Sequence, residues 1–431
     1  MRSPRPRGYR TDDSGDQALL CLATGIYSAD LNDLENLATS SVPIEAVTDD
    51  APSPATWRDG KRYAWLLGLL VPTLPFIAYG MVALTGWPVL WFFGPMLVGV
   101  FALLDLVVGT DSENPPDSVI KWLEQDRYYR WCTYLYLPLQ YAGLVFACWL
   151  WSDGGLSTVD SVGLALTMGM VSGIAINTAH ELGHKRARLE RWLSKVALAQ
   201  SAYGHFFIEH NRGHHVRVAT PEDPASSRLG ESFWAFLPRT VAGSLRSSLG
   251  LERIRLDRIG EPRWTWRNDI LNAWAMTVVL FAALVAGFGL IVLPYLLLQA
   301  VVGFSLLEVV NYLEHYGLLR QKRDDGRYER CAPEHSWNSN NVASNVLLYH
   351  LQRHSDHHAN PMRRYQALRH FDRAPQLPTG YAGMIVLACV PPLWRRVMDH
   401  RVLEHYGGDL TRANIEPRAR RRILARHGEA T

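Results

Sequence analysis

Nine histidines of this chain fall into four short motifs, each at the end of a strongly apolar segment. They read His180-Glu-Leu-Gly-His184-Lys185, Glu209-His210-Asn-Arg-Gly-His214-His215, Asn311-Tyr-Leu-Glu-His315-Tyr-Gly317 and Leu351-Gln-Arg-His354-Ser-Asp-His357-His358. Side chains three or four residues apart share one face of a helix, so imidazoles of one motif can converge. Neutral imidazole is a common ligand of iron, zinc and copper. So many histidines at ligand spacing predict more than one metal ion.

The ligand type narrows the choice of metal. A single zinc ion needs only four ligands, and a structural zinc site favours cysteine. The five cysteines form no Cys-x-x-Cys pair, which argues against disulfides, a zinc ribbon or a rubredoxin-type iron site within this chain. Nine histidines suit two ions with four or five nitrogens each. Iron fits best, because imidazole-rich open sites suit oxygen chemistry, and copper stays an alternative.

Acidic residues beside these histidines are candidates for orienting them. A ligating imidazole usually donates its other N–H to a carboxylate or a carbonyl group. For any single acid, an ordinary salt bridge is an equally good interpretation. His205, His335 and His350 flank the motifs, and we expect them to be outer partners rather than ligands. The candidate outer acids are Glu181, Glu209, Asp223, Glu314 and Asp356.

Apolar segments long enough to cross a membrane run through most of the chain. A helix needs roughly 20 residues to span the hydrocarbon core. Charge-free runs at 65–85, 87–104, 131–151, 162–179 and the two halves of 270–307 predict six transmembrane helices. The mean hydropathy of −0.07 does not contradict this count, because long polar segments lower the mean. We therefore expect an all-α integral membrane protein.

The distribution of Lys and Arg predicts the orientation of these spans. The turns at 86–88, 152–161 and 287–289 contain neither residue, whereas the opposite side carries many. Under the positive-inside rule, both termini and all four histidine motifs are cytoplasmic. The net charge of +3 by itself indicates little about partners. The sequence has no basic stripe with interleaved aromatic residues outside the membrane flanks, so we expect no nucleic-acid partner.

Three regions follow from this pattern. Residues 1–60 form a polar leader that we expect to be partly disordered, with one short helix near 30–37. Residues 61–320 hold the six spans, and 180–268 form a cytoplasmic helical cap that carries most of the histidine-rich dimetal site. Residues 321–431 are a cytoplasmic C-terminal part with the last histidine motif and a basic tail.

The motifs together resemble those of the alkane 1-monooxygenases, which are integral-membrane, non-haem di-iron alkane ω-hydroxylases of bacteria. The resemblance includes Asp105-x-x-x-Gly109-x-Asp111-x-x-Asn114-Pro-Pro116 and the four histidine motifs, and it runs from about Lys61 to about Gly408. The last two histidine motifs are specific to that family. The leader before Lys61 is longer than the family pattern.

The resemblance implies a reaction and its partners. A terminal methyl group of an n-alkane is oxidised to a primary alcohol with O₂ and two electrons, in the bacterial inner membrane. It implies reduced rubredoxin as electron donor, served by an NAD(P)H-dependent reductase. It also implies two iron ions held by His180, His184, His210, His214, His215, His315, His354, His357 and His358.

Two other functions remain open at this stage. A membrane fatty-acyl desaturase or related histidine-box hydroxylase also uses histidine motifs, but typically has a shorter second motif and lacks the motif around His315. A non-enzymatic membrane metal-binding protein would carry ionisable residues through its spans as an ion path. The spans here are almost free of charge, which favours an enzyme.

One stripe of the second span is a candidate wall for the substrate channel. Phe93, Leu97 and Phe101 recur every four residues and therefore share one face of that helix. Packing against another span or lipid would produce the same pattern. We hypothesise that the stripe lines an alkane channel that leads from the bilayer to the metals.

Overall fold

The computed structural model describes residues 56–428, and this part of the chain is helical and contains no extended β-strand. The leader up to residue 55, with its predicted helix near 30–37, lies outside the described residues. The main helices are α1 (Ala64–Thr85), α2 (Pro88–Val108), α3 (Asp117–Gln125), α4 (Arg127–Tyr134), α5 (Tyr136–Asp153), α6 (Thr158–Gly183), α7 (Arg188–Ala199), α8 (Phe233–Arg258), α9 (Asp269–Phe288), α10 (Leu290–His315), α11 (Val342–Leu347), α12 (His354–Ala359), α13 (Tyr381–Ala388), α14 (Pro391–His405) and α15 (Arg420–Gly428).

Five of these helices are long and apolar enough to cross a membrane, namely α1, α2, α6, α9 and α10. The prediction of an all-α membrane protein is therefore confirmed. The remaining predicted span, at 131–151, corresponds to α5, an 18-residue helix. It contains Gln140, ends at Asp153, and is not among the five candidate spans of the described residues. The count of six spans, like the placement of the cap in the cytoplasm, stays a prediction.

Helix α6 lies at the centre of the bundle, and glycines let its neighbours approach closely. A Cβ on Gly173 of α6 would lie 2.8 Å from a methyl carbon of Leu306 on α10. A Cβ on Gly94 of α2 would lie 2.7 Å from the Cα of Thr167 on α6. Small residues at helix contacts allow the close backbone packing that stabilises helices in lipid. The helix that begins the first histidine motif is thereby held between α2 and α10.

Helices α2, α1, α5, α9 and α10 follow one another around α6, each packing on the next. Gly86 adopts a left-handed conformation with φ of 69° and ends α1, so that α2 can begin two residues later. This arrangement brings the histidine-bearing ends of α6 and α10 to the same side of the bundle.

Polar residues of the motif from Asp105 to Pro116, at the end of α2, hold the segment that carries the last histidine motif. The Asp105 carboxylate accepts hydrogen bonds from the backbone N–H (2.9 Å) and hydroxyl (2.5 Å) of Ser344 on α11. The buried Arg353 guanidinium donates to the carbonyl groups of Asp111 and Glu113, both at 3.0 Å. Arg353 directly precedes His354, so these bonds fix the start of α12 against the end of α2.

Candidate metal centre

The structure gathers all nine motif histidines into two adjacent groups. Within each group the potential ligand atoms lie within 4.8 Å of one another. The larger group contains His180, His184, His210, His215 and His357, and the smaller contains His214, His315, His354 and His358. The imidazole rings of His215 and His358, one from each group, have centroids 4.4 Å apart, so the two groups are neighbours.

In the five-histidine group the Nε2 atoms point toward one another. His180 Nε2 lies 2.8 Å from His357 Nε2, and His357 Nε2 lies 3.1 Å from His215 Nε2. His210 Nε2 lies 3.0 Å from the Nε2 atoms of both His184 and His215. Converging nitrogens with lone pairs are the donor set that a transition-metal ion binds.

A π-helix explains how the second motif serves both groups. Residues Glu209–His214 form this wider helix, which places residues five apart on one face. His210 and His215 therefore face the same group, whereas His214 turns to the other. A Cβ at Gly213 would lie 2.5 Å from the Glu209 carboxylate, so a larger residue here would displace that side chain.

In the four-histidine group, four ring nitrogens are buried and have no hydrogen-bond partner in the described part of the chain. These are Nδ1 of His354, Nδ1 of His358, Nε2 of His214 and Nε2 of His315. His354 Nε2 and His358 Nε2 face each other at 2.9 Å. An orphaned buried polar atom costs about 1–3 kcal/mol, so such atoms require an explanation. A bound metal ion would satisfy the Nε2 atoms of His214 and His315, and the residues present therefore fit a metal.

Burial also keeps the histidines in the form that binds metals. The loss of solvation lowers the pKa of each of six imidazoles outside the spans well below its usual value, and repulsion between neighbouring rings lowers it further. These are His184, His210, His215, His354, His357 and His358. Since metal ligation requires neutral imidazole, the site is electrostatically prepared for a cation.

Asp223 orients one of the rings. Its Oδ2 lies 2.8 Å from His214 Nδ1 and accepts a hydrogen bond from the Ser226 hydroxyl at 2.6 Å. Burial opposes ionisation of this carboxyl group, but the attraction of His214 and these hydrogen bonds outweigh it and lower its pKa to about 2. The ionised carboxylate holds the proton on Nδ1, so Nε2 of His214 is free to bind a metal.

Three other predicted outer acids pair with basic side chains instead of imidazoles. Glu181 lies 3.0 Å from Lys185, Glu209 lies 2.7 Å from Arg217, and Asp356 lies 2.7 Å from Arg363. These pairs are buried or half-buried and brace the helices that carry the histidines.

Glu314 contacts a histidine ring of the four-histidine group. Its Oε2 lies 3.2 Å from His354 Nε2, the nitrogen that faces His358. Its Oε1 accepts a hydrogen bond of 2.9 Å from the Tyr381 hydroxyl. The tyrosine thus holds this carboxylate beside the four-histidine group.

The three flanking histidines are absent from both groups. The backbone carbonyl of His335 lies 3.5 Å from His315 Nδ1, and its ring lies 3.1 Å from Glu329. The His350 ring lies 3.0 Å from the carbonyl group of Tyr365. The His205 ring packs against Tyr203, with centroids 4.4 Å apart.

An apolar cavity of about 260 Å³ ends at the histidines. Phe93, Leu97 and Phe101 line it, as do His180 and His210 of one group and His354 of the other. Along α6 the lining runs from Met170 to His180, which is about 15 Å at 1.5 Å per residue. The cavity thus has an apolar shaft and a polar end, a shape that suits a long apolar ligand with one reacting end.

Sequence reasoning missed several residues that shape this end. Asn177 lines the cavity and donates a 2.7 Å hydrogen bond to the Leu348 carbonyl group, and Tyr381 anchors Glu314. Arg212 joins the second motif to Glu252 on α8 (2.6 Å) and to Asp269 at the start of α9 (2.5 Å). Arg212 lies within the second histidine motif, but its partners are distant in sequence, so no local pattern indicates these ion pairs.

Comparisons with known proteins agree with this architecture. Residues 161–388 match the family described as fatty acid desaturase. The chain is similar to alkane 1-monooxygenase of Acinetobacter baylyi, with 50% identity over 86% of this chain and 92% of that protein. Alkane 1-monooxygenase 1 of Alcanivorax borkumensis is 49% identical over 83% of this chain and 89% of that protein. Alkane 1-monooxygenase of Ectopseudomonas oleovorans is 46% identical over 89% and 96%.

Proposed function

The chain belongs to the alkane 1-monooxygenases, oxidoreductases that share the fatty acid desaturase domain, and we propose that it hydroxylates the terminal methyl group of n-alkanes. The reaction consumes O₂, two electrons and two protons, and it yields a primary alcohol and water. We further propose that two iron ions bind at the nine histidines, one in each group.

The observation that carries this proposal is the apolar cavity that reaches both histidine groups. An n-alkane offers no polar atom for recognition, so only apolar burial can bind it. Burial contributes about 0.8 kcal/mol per CH₂ group relative to water. A substrate already dissolved in the bilayer gains less, so the shape of the cavity must do the positioning. A shaft that ends at His180, His210 and His354 directs one chain end at the site.

The iron pair, when bound, would supply the O₂ chemistry needed to break an unactivated C–H bond. The chain's own residues would bind the alkane, orient the metal ligands and exclude water from the site. Phe93, Leu97 and Phe101 would hold the alkane chain and keep water away from the shaft. Asp223 would hold the His214 proton on Nδ1. Glu314, held by Tyr381, would be the carboxylate nearest to the end of the bound chain.

Electrons must come from a partner, and we propose a reduced rubredoxin that is itself reduced through an NAD(P)H-dependent reductase. The chain carries no Cys-x-x-Cys pair with which to bind its own rubredoxin-type iron. His184 and His215 of the five-histidine group are only partly buried, and Arg186 and Arg188 are exposed just after His184. A cationic surface beside partly exposed ligands supports the docking of an acidic electron carrier.

We also propose the bacterial inner membrane as the location, with both termini and the metal centre on the cytoplasmic side. The histidine end of the bundle is the end rich in Arg and Lys, and the turns at the other end lack both residues. The positive-inside rule supports this orientation. In it, the region 180–268 forms the cytoplasmic cap, and electron carriers of the cytoplasm reach the site.

Product identification tests the proposal. Purified, iron-loaded protein receives a homologous series of n-alkanes, rubredoxin, its reductase and NADH, and gas chromatography with mass spectrometry identifies the products. We expect 1-alkanols, with ¹⁸O from labelled O₂. Alkenes or unsaturated acyl chains formed from acyl-CoA would favour a desaturase instead. The absence of any oxidised hydrocarbon, despite a loaded metal site, would contradict the proposal.

A further inference from the structure

The ring of helices around α6 is open at one place. Helices α2 and α10 would close the ring, but within the described residues they do not pack extensively against each other. Both pack on α6 and on the short helix α13. The gap between α2 and α10 is therefore bridged at the histidine end by α13 and has no such bridge toward the other end.

The cavity lies directly behind this gap. Val98 and Phe101 of α2, Leu306 of α10 and Ile385 of α13 all line the cavity. Each of these four side chains is only partly buried, whereas the lining residues Gly173, Asn177 and His180 of α6 are buried. The cavity thus approaches the lipid-facing surface between α2 and α10, and its rim there is made only of apolar side chains.

Helix α13 is fastened to both sides of the gap. Gly380, just before α13, lies against the Asp105 carboxylate of α2, and a Cβ at that position would overlap it. The next residue, Tyr381, donates its hydroxyl to Glu314 of α10. On the outer surface of the helix, Val386 is 51% exposed. Helix α13 therefore crosses the gap at the histidine end and is held against both α2 and α10.

The other partly open edge of the cavity, between α1 and α2, is closed at both ends. Leu70 of α1 lines the cavity there and is 52% exposed. However, the turn after Gly86 joins α1 to α2 at one end, and α11 packs on both helices at the other. A hydrocarbon chain passes more easily through a gap that is bridged at one end only.

We propose that linear hydrocarbons reach the metal centre sideways from the bilayer, through the gap between α2 and α10 beneath α13. This inference rests on the proposed function and assigns the access route for its substrate. Apolar rim residues match a hydrocarbon that is already dissolved in lipid, and the molecule reaches the cavity without crossing water. Val98, Leu306 and Ile385 are then the residues that control access.

Narrowing the gap tests the route kinetically. Val98→Trp and Leu306→Trp place bulk at the rim, and dodecane is supplied in phosphatidylethanolamine–phosphatidylglycerol vesicles. We expect each variant to lower kcat/KM by about tenfold, with iron content unchanged. The matched control Val279→Trp adds the same bulk on the exposed side of α9, where Val279 is 67% exposed and does not line the cavity, and should keep parent kinetics. A larger loss in Leu70→Trp than in Leu306→Trp would move the mouth to the α1–α2 edge and overturn the proposal.

A second measurement does not depend on turnover. Photoreactive benzoylphenylalanine at Val98 or Leu306 is illuminated in nanodiscs that contain deuterated dodecane, and mass spectrometry counts the dodecane adducts. We expect a higher yield at both positions than at Val279. Yields no higher than at Val279 would overturn the route. Because adducts form without catalysis, this result stands even if the protein oxidises no alkane, a failure that would concern the proposed function alone.

Discussion

Replacement of Asp223 should weaken metal binding in one histidine group and leave the other intact. Asp223 is buried, and it contacts the ring of His214 through Nδ1 at 2.8 Å. Among the described residues it makes no hydrogen bond to any other motif histidine, and His214 belongs to the four-histidine group. Asp223→Ala therefore removes the orienting contact of one ring in that group only.

The size of the effect follows from two independent estimates. In Asp223→Ala the buried Nδ1–H of His214 loses its acceptor, which costs about 1–3 kcal/mol. Loss of an outer carboxylate partner typically lowers metal affinity about 10–100-fold. At about 1.4 kcal/mol per factor of ten, this corresponds to roughly 1.4–2.8 kcal/mol. The two ranges agree, so we expect a loss of one to two orders of magnitude in the affinity for one iron.

Iron retention against a competing chelator measures this loss, and Mössbauer spectroscopy separates the two irons. At a chelator concentration where the parent protein keeps both irons, Asp223→Ala should keep about one. The control is Asp356→Asn, because Asp356 is equally buried but bonds to Arg363 instead of an imidazole. Asp356→Asn should keep both irons. If Asp223→Ala also keeps both, or loses them together, Asp223 does not orient a ligand of one metal.

Three further outcomes follow from the same site and cavity. His214→Ala and His357→Ala should each abolish alkane turnover but leave membrane insertion intact, as checked by fractionation and activity, because each removes a ligand from one group. Leu97→Trp should reduce activity on long alkanes more than on short ones, and Phe101→Ala should do the reverse, as measured by a chain-length profile. Both residues line the cavity, and overfilling a tight apolar site costs about 1–3 kcal/mol. The rate of reduction by an acidic rubredoxin should fall as salt rises, in stopped-flow experiments, because exposed arginines flank the partly buried ligands.

Each of these has a clear contrary result. Turnover near the parent rate in either histidine variant would remove that residue from the proposed ligand set. Active Leu97→Trp and Phe101→Ala variants with the parent chain-length profile would make the α2 stripe a packing surface. Reduction that does not depend on salt would exclude electrostatic docking, and turnover from NADH without any donor protein would exclude the need for a partner.

The sequence alone was sufficient to predict the helical membrane architecture and to single out the histidines that the fold brings together. Uninterrupted apolar runs dictate helices in lipid, because every backbone N–H and C=O must be bonded within its own segment. The spans at 65–85 and 87–104 correspond to α1 and α2, and the long run at 270–307 divides at Gly289, between α9 and α10. These features are local, so composition and spacing contain them.

The division of the nine histidines was decided by tertiary structure. By spacing, His210, His214 and His215 belong together, yet the π-helix sends His214 to a different group from its neighbours. His357 likewise joins His180 of α6, whereas His354 and His358 join His315 of α10. Which ring belongs to which group depends on the wider turn of one helix and on the approach of α12 to two different spans. Both are set by contacts between residues far apart in the chain, such as Arg353 with Asp111 and Arg212 with Asp269, and no local pattern encodes them.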